Sequence, residues 1–523
     1  MQKLKLSFPS RFGSEINFDT VIYIGLLVFV LALPFGYSTA FLNIGLSLVA
    51  FGWVGRMVSD RKLNWQRTPL DIPIALFLGL ALIACIFAPH PATSSLGYFW
   101  KLLRAILLFY AIVQSRLGSR WRHVVIAFIA AACISSTLGL WYYANDTRLA
   151  IDFMGRIGLQ FQEELDAGAV FSDELRAELR ACSVPLSESA SLTPSKQPDE
   201  WRIDDPARQR RYVIRPNDAH LRVYMIEQRL TGTFKMPNDL GAYLALSLPF
   251  VLGYFVASWR RHAKQKKNPI WVTLGLGLVV IMMGANLVLT LTRAAWISVT
   301  VATVWLGVYL IVVVLRKPER IGGLRSGILL GSVAIIVFLS LSLFFMPQHI
   351  KTRFQTVLEH PIGFMGERPQ WWQTSLEFIQ KYPLTGIGLG RFRHEYQTSG
   401  PPEQYNVPYH AHNIYLHIAV EHGIPSLLLF FWIVAIICQQ IFAGRQANAL
   451  FGAARKPKIF YTNVWGSGTF IGGSGFLISA LVYGLADNIL HQRTVLLFWF
   501  ILGIIFYLTL LKDKQYEKAS ETG

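Results

Sequence analysis

Charge is scarce in this chain. Only 15% of its 523 residues are Asp, Glu, Lys or Arg, against roughly 25% in a soluble domain. The shortage is uneven: long stretches carry no charge at all, and the charged residues gather between them. That distribution excludes an ordinary soluble fold and belongs to a polytopic membrane protein. Cysteine is scarce too. The four, Cys85, Cys133, Cys182 and Cys438, form no CxxC pair and three sit in apolar segments, which argues against a disulfide framework and a cysteine-ligated zinc. HExxH, a Walker lysine and GxGxxG are all missing, so the usual zinc-protease and nucleotide-binding patterns are absent.

What is present is apolar: 53% of residues are hydrophobic and the mean hydropathy is +0.39. A membrane span needs roughly 17–25 mostly apolar residues. Twelve segments qualify, at 20–36, 39–55, 70–88, 98–114, 123–143, 238–258, 270–291, 294–315, 326–346, 414–442, 470–487 and 494–511. The N-terminal "MQKLKLSFPSRFGSEINFD" is basic, and the first apolar run has no small-residue cleavage site after it, so that run reads as a retained helix rather than a signal peptide. Two long polar segments divide the chain into five units: 1–143 with five spans, 144–237, 238–346 with spans six to nine, 347–413, and 414–523 with the last three.

The net charge of +18 would suit a nucleic-acid partner, but its location gives another reading. With the N-terminus inside, the inner segments hold 26 Lys and Arg, whereas the short outer connections hold only Arg293 and Arg493. Such a bias sets orientation. The expected fold is an all-α integral membrane protein of about twelve helices, both termini cytoplasmic, with two long extracytoplasmic loops. No nucleic-acid partner is implied. A site on the outer face has no ATP and must use a substrate that is already activated.

The first loop, 144–237, holds 15 of the 31 acidic residues. Its "FQEELDAGAVFSDELRAELRA" has the spacing of a surface helix, "CSVPLSESASLTPSKQPDE" reads as a flexible stretch, and 160–215 as a whole reads as a solvated loop. Its end, "EQRLTGTFKMPNDLGAYLAL", sets Arg229 and Lys235 beside the next span. An arginine there either snorkels to lipid phosphates or recognises a phosphate of a ligand. Arg293, in "LTRAAWISV", stands alone between two uncharged spans, against the positive-inside bias, and is a stronger candidate. Lys101 and Arg104 interrupt the span "GYFWKLLRAILLFYAIV". Three residues apart, they share one helix face, which should line the bundle interior or a polar cavity and makes both further candidates for substrate contact. Asp487 reads as a structural partner of His491 or Arg493 in the last outer turn.

In the second loop, "PQWWQTSLEFIQKY" reads as an amphipathic interfacial helix with Trp372, Leu376 and Ile379 on its apolar side. "GIGLGRF" reads as a tight turn whose backbone N–H groups can bind phosphate oxygens. Then comes "VPYHAHNIYLHIAVEHGIP", with His410, His412, His417, Glu421 and His422. These residues allow a metal site, although the ligand spacing is unconvincing. They allow a general base that takes a proton from a hydroxyl. They also allow ordinary interfacial and helix-start roles, with Asn413 as N-cap. As one helix, 414–442 would span about 43 Å, longer than a hydrocarbon core of roughly 30 Å. Either its first turns stand in the headgroup layer or it bends near Gly423–Pro425, and His417, Glu421 and His422 then read as structural.

Two stretches, "RPQWWQTSLEFIQKYPLTGIGLGRF" and "HAHNIYLHIAVEHGIPSLLLFF", resemble the O-antigen ligase and O-antigen polymerase superfamily. "RLTGTFKMPNDLGAYLAL" and "LTRAAWISV" are similar to its two other recurrent segments. The resemblance covers roughly 225–300 and 365–435. It implies a bacterial inner-membrane transferase, metal-independent and inverting, that uses no cofactor and moves a glycan from undecaprenyl diphosphate to an acceptor hydroxyl. The acceptor would be lipid A–core in a ligase, another glycan in a polymerase, or a protein Ser in an O-oligosaccharyltransferase. Ligase is the first expectation. The resemblance implies His412 as the base, Arg229 and Arg293 as diphosphate ligands, and Arg368, in "ERPQWW", as a further substrate contact, with His410 as neighbour to the base. The competing class is a transporter of lipid-linked glycan. It would use the same cations without a base, but the sequence has no internal repeat of the transporter kind.

Overall fold

The structure is a computed structural model. It describes residues 17–144 apart from 37, 61–64 and 88–92; 171–225 apart from 182–185, 195–200, 208–209 and 218–219; 229–315 apart from 235 and 266–268; 368–450 apart from 400–407; and 464–521 apart from 490–491. The expected span at 326–346 lies outside these residues, as do Lys235 and His491.

The helices in chain order are α1 (Phe18–Ala32), α2 (Thr39–Asp60), α3 (Asp71–Ile86), α4 (Thr93–Gln114), α5 (Trp121–Ala144), α6 (Asp173–Ala181), α7 (Pro237–Gln265), α8 (Ile270–Leu289), α9 (Arg293–Leu315), α10 (Arg368–Lys381), α11 (Phe392–Ser399), α12 (Ile414–His422), α13 (Ile424–Leu450), α14 (Val464–Gly484) and α15 (Gln492–Glu521). Among the described residues, eight helices are long and apolar enough to cross a membrane, and α1 and α3 are shorter apolar helices. Large apolar side chains such as Phe51, Leu278 and Trp271 lie on the outside of the bundle, as residues facing lipid would.

The chain is mostly, not wholly, helical. Between α6 and α7 it forms a four-stranded antiparallel meander, β1 (Ser191–Pro194), β2 (Trp201–Asp205), β3 (Arg210–Asn217) and β4 (His220–Met225). This corrects both the all-α expectation and the reading of 160–215 as a solvated loop. The strands are only 4–8 residues long, and Pro and polar residues interrupt their alternation. Here Asp205 accepts from both the backbone N–H (2.9 Å) and the hydroxyl of Ser187 (2.5 Å), tying the stretch before β1 to the end of β2.

Two other boundaries move. Helix α14 starts at Val464 and ends at Gly484, not at 470 and 487. Its first turns are the Gly- and Ser-rich "VWGSGTFIGGSG", which hydropathy undervalues. In lipid, helices associate through close packing rather than hydrophobic transfer. Accordingly, Gly472 rests directly on the backbone of α7 at Phe250 and Gly253, so a Cβ on either glycine would collide with main chain. The expected span 414–442 is broken at Gly423 (φ 84°, ψ 164°) into α12 and α13, so the span proper begins at Ile424.

Hydrogen bonds tie the connections together at each end of the bundle. At one end Arg56 pairs with Asp19 at 2.9 Å and also donates to the Gln114 carbonyl, while Gly118 N–H donates to the Tyr507 hydroxyl at 2.9 Å. At the other end Arg493 donates to the carbonyls of Ala32 (2.9 Å), Leu33 (3.2 Å) and Gly36 (3.0 Å). The last carbonyls of a helix lack intrahelical partners and carry partial negative charge, and Arg493 satisfies those of α1. Its role is structural, but its partner is the end of α1 rather than Asp487.

Candidate functional site

The site is assembled at the end of the bundle where Arg493 lies. Its centre is the short segment before α12. Asn413, in extended conformation, caps α12 by accepting from the N–H groups of Tyr415 (2.9 Å) and Leu416 (3.1 Å). The preceding residue, His412, has φ 47°, a left-handed conformation uncommon for any residue with a side chain. Several contacts hold it there. The indole N–H of Trp372 donates to the Ala411 carbonyl at 3.0 Å, and the Trp371 ring stacks on the His412 ring with centroids 4.8 Å apart. His412 N–H donates to Nδ1 of His410 at 3.2 Å.

The Nδ1 atom of His412 lies 3.2 Å from Asp487 Oδ1, and Nε2 of His410 lies 3.7 Å from the same oxygen. A carboxylate only accepts, so the network assigns the proton of a neutral His412 to Nδ1 and leaves Nε2 with the lone pair. Burial would raise the Asp487 pKa. The His412 hydrogen bond, the His410 and His412 charges and the Asn488 N–H (2.8 Å) outweigh it and hold the carboxyl well below its usual range. Tyr483 donates to the second oxygen at 3.2 Å. A carboxylate orienting an imidazole in this way is the arrangement of a general base. The sequence offers Asp487 only as a structural partner of His491 or Arg493, whereas its partner is His412. Asp487 closes an apolar run, where an acidic group is costly and marks a site.

The same three groups, His410, His412 and Asp487, offer atoms within 4.8 Å of one another and can accept a metal ion. Three protein ligands with an open position is the pattern of a catalytic zinc. The third ligand comes from far along the chain, so local spacing did not reveal it.

Helix α10 lies over this segment: Trp371 and Ile379 pack on a small core of Phe378, Ile387, Phe392, Tyr396, Ala411 and Val420, with Thr374 and Ser375 buried. Of the expected apolar side, Ile379 packs and Trp372 is half-buried, whereas Leu376 is 51% exposed. The glycine turn also departs from expectation. Its N–H groups serve the protein itself: Ile387 donates to the Val420 carbonyl (2.8 Å), Gly388 to the Glu421 carbonyl (3.2 Å), and Gly390 (2.8 Å) and Phe392 (3.2 Å) to the Glu421 carboxylate. The anion in this nest is internal. Burial raises the Glu421 pKa to about 7, against the lowering effect of those N–H groups. His417 Nε2 lies 3.4 Å from the same carboxylate.

Arg229 reaches the turn between α8 and α9, donating to the Thr290 carbonyl (2.9 Å), the Asn238 side chain (2.6 Å) and the Thr292 hydroxyl (3.2 Å). Arg293, next to Thr292, begins α9. These two arginines, 64 residues apart in sequence, therefore flank one turn. Arg368 begins α10. Lys101 and Arg104 lie elsewhere, on the wall of a cavity of about 410 Å³ that also touches His410, His417, Glu421 and Asp239.

Residues 278–431 match the family model described as O-antigen ligase. That interval contains Arg293, Arg368, His410 and His412, and excludes Arg229, Asp487, Lys101 and Arg104. No curated protein matches the chain. The left-handed His412 and the Arg293 turn both fall inside the interval that is similar to the O-antigen ligase family.

Proposed function

We propose that this protein is an inner-membrane glycosyltransferase that moves a glycan from undecaprenyl diphosphate to an acceptor hydroxyl, with lipid A–core as the acceptor. The observation that carries the proposal is the His412–Asp487 pair, which leaves His412 Nε2 free to take a proton. The acceptor O–H gives its proton to Nε2, and its oxygen attacks the anomeric carbon from the face opposite the diphosphate. The C–O bond to the diphosphate breaks, and undecaprenyl diphosphate leaves with the bonding electrons. Inversion follows from a single displacement. Arg229 and Arg293 hold the diphosphate through charge-assisted hydrogen bonds and stabilise the charge that grows on it, and Arg368 adds a further contact. The 26-to-2 distribution of Lys and Arg supports cytoplasmic termini and a site on the periplasmic face. The reaction needs neither ATP nor metal.

The direct test is purified protein in detergent with a glycan on undecaprenyl diphosphate and lipid A–core. The expected result is covalent glycolipid formed one-for-one with released undecaprenyl diphosphate, at a rate unchanged by EDTA. Movement of the lipid-linked glycan across vesicles without covalent product would make the protein a transporter. Loss of turnover on chelation, restored by a divalent ion, would turn the His410–His412–Asp487 group into a metal site. Product on a glycan acceptor but not on lipid A–core would mark a polymerase.

Asp487 is a positioning residue in this scheme. Asp487→Asn keeps the shape and removes the charge that stabilises protonated His412. It is expected to lower kcat by roughly 10²-fold, on the scale of general-base contributions, with KM for donor and acceptor little changed. A rise in KM at constant kcat would assign Asp487 to substrate binding instead.

A further inference from the structure

Three cations line the cavity beside His410; Arg493 caps α1, and the other two are not used by the proposed chemistry. Lys101 and Arg104 stand about one turn apart on α4, a helix apolar enough to cross a membrane. Nε of Arg104 is buried with no hydrogen-bond partner among the described residues, and its Nη1 reaches Asn43 Oδ1 at a long 3.5 Å. Lys101 lies over the Tyr98 ring at 4.1 Å. The acidic groups on the same wall are engaged elsewhere. The Glu421 carboxylate takes the Gly390 and Phe392 N–H groups, and Asp239 has a partner other than Lys101 and Arg104. Among the described residues neither cation forms an ion pair, and cations at membrane depth mark ligand pathways. The rest of the wall is mixed, with Leu102, Leu389 and Leu496 beside Asn488, His417 and His422. The volume of about 410 Å³ falls within the usual range for a ligand pocket.

We infer that this cavity receives the acceptor, and that Lys101 and Arg104 bind a phosphate or carboxylate carried by an amphiphilic glycolipid. The inference rests on the proposed transferase reading. The base must touch the acceptor hydroxyl, and the cavity wall includes His410, whose ring centroid is 4.2 Å from that of His412. Arg229 and Arg293, assigned to the donor diphosphate, are not on that wall. Donor and acceptor thus approach the base from different sides, each with its own cation pair. An acceptor with an anionic group is preferred over its neutral counterpart, because the latter leaves the half-buried Arg104 guanidinium without an anionic partner.

The test compares lipid A–core with its phosphates intact, the same glycolipid after phosphatase treatment, and undecaprenyl-diphosphate glycan, all with the full chain in detergent. Lys101→Gln and Arg104→Gln are expected to raise KM for the phosphorylated acceptor by roughly 10- to 100-fold, the range for lost charge-assisted hydrogen bonds. KM for the dephosphorylated acceptor and for the donor should change less than about twofold. A rise in donor KM with acceptor KM unchanged would give the cavity to the donor phosphate and overturn the inference. So would equal losses on both acceptors, or no effect on any substrate. Should Arg104→Gln fail to fold, the exposed Lys101 still carries the test alone. Binding of the two acceptors, followed by the thermal shift they produce, reads the cavity without turnover. Stronger binding of the phosphorylated form, lost in Lys101→Gln, upholds the cavity assignment even if no glycan is transferred, whereas absent transfer by the wild-type chain would overturn the transferase reading.

Discussion

Replacing Gly423 by alanine should cost more than about 4 kcal/mol, in the range reserved for specific steric failures. Gly423 has φ 84° and ψ 164°, a region populated essentially by glycine alone. The site also has no room for a methyl group: a Cβ would land on the carbonyl of Leu384, a main-chain group. That carbonyl cannot retreat cheaply. Ile424 N–H donates to the Pro383 carbonyl at 2.8 Å, Gly386 N–H to Tyr382 at 3.0 Å and Ile387 N–H to Val420 at 2.8 Å, so the 383–387 backbone is bound on both sides of the clash. The damage would propagate to α12 and therefore to the placement of His412. Gly79→Ala in α3 is the control, because nothing lies within 4 Å of a Cβ there; it should be neutral or stabilise by up to ~1 kcal/mol. Thermal unfolding of both variants in detergent decides the matter. A Gly423→Ala protein that melts with wild type would show that the break between α12 and α13 does not depend on this backbone conformation.

The break illustrates where the sequence was readable and where it was not. The apolar run 414–442 was too long for one span, and "HGIP" offered a hinge; what length could not settle was whether the helix bent or stopped. Hydropathy found α7, α8 and α15 because their side chains are greasy. It misplaced α14 because glycines that allow a close approach to α7 carry little hydropathy of their own. It missed the sheet at 191–225, where short strands with Pro and charge lack a clean period of two. In the site, the sequence picked out the histidines and arginines by their local isolation. It did not find the partners that define their chemistry, since Asp487 meets His412 across 75 residues and Glu421 meets Gly390 across 31. The glycine turn looked like a phosphate nest because it is an anion nest, but the carboxylate that fills it comes from this chain.

His412→Ala is expected to reduce glycan transfer by at least ~10²–10⁴-fold, the usual contribution of a general base, while leaving the protein folded. The second half of that statement follows from the geometry. Alanine and histidine both carry a Cβ that is disfavoured at φ 47°, so the substitution adds little backbone strain, on the order of 1 kcal/mol or less. The ring contributes a stack on Trp371 and one hydrogen bond to Asp487, and the other contacts of the segment remain without it. The Ala411 carbonyl keeps Trp372, Asn413 still caps α12, and Asp487 retains Tyr483, the Asn488 N–H and nearby His410. A loss of activity therefore cannot be charged to unfolding. It must still be told apart from a lost packing contact, for which free imidazole serves. Removing the ring leaves a gap between Trp371 and Asp487, and an added imidazole that restores part of the turnover would act as the missing base. His412→Gln is the companion: it refills part of the gap with a group that cannot accept a proton at neutral pH, and should stay inactive. Wild-type turnover in His412→Ala would remove the base from the mechanism, and His410, already 3.7 Å from the same carboxylate, would be the next residue to test.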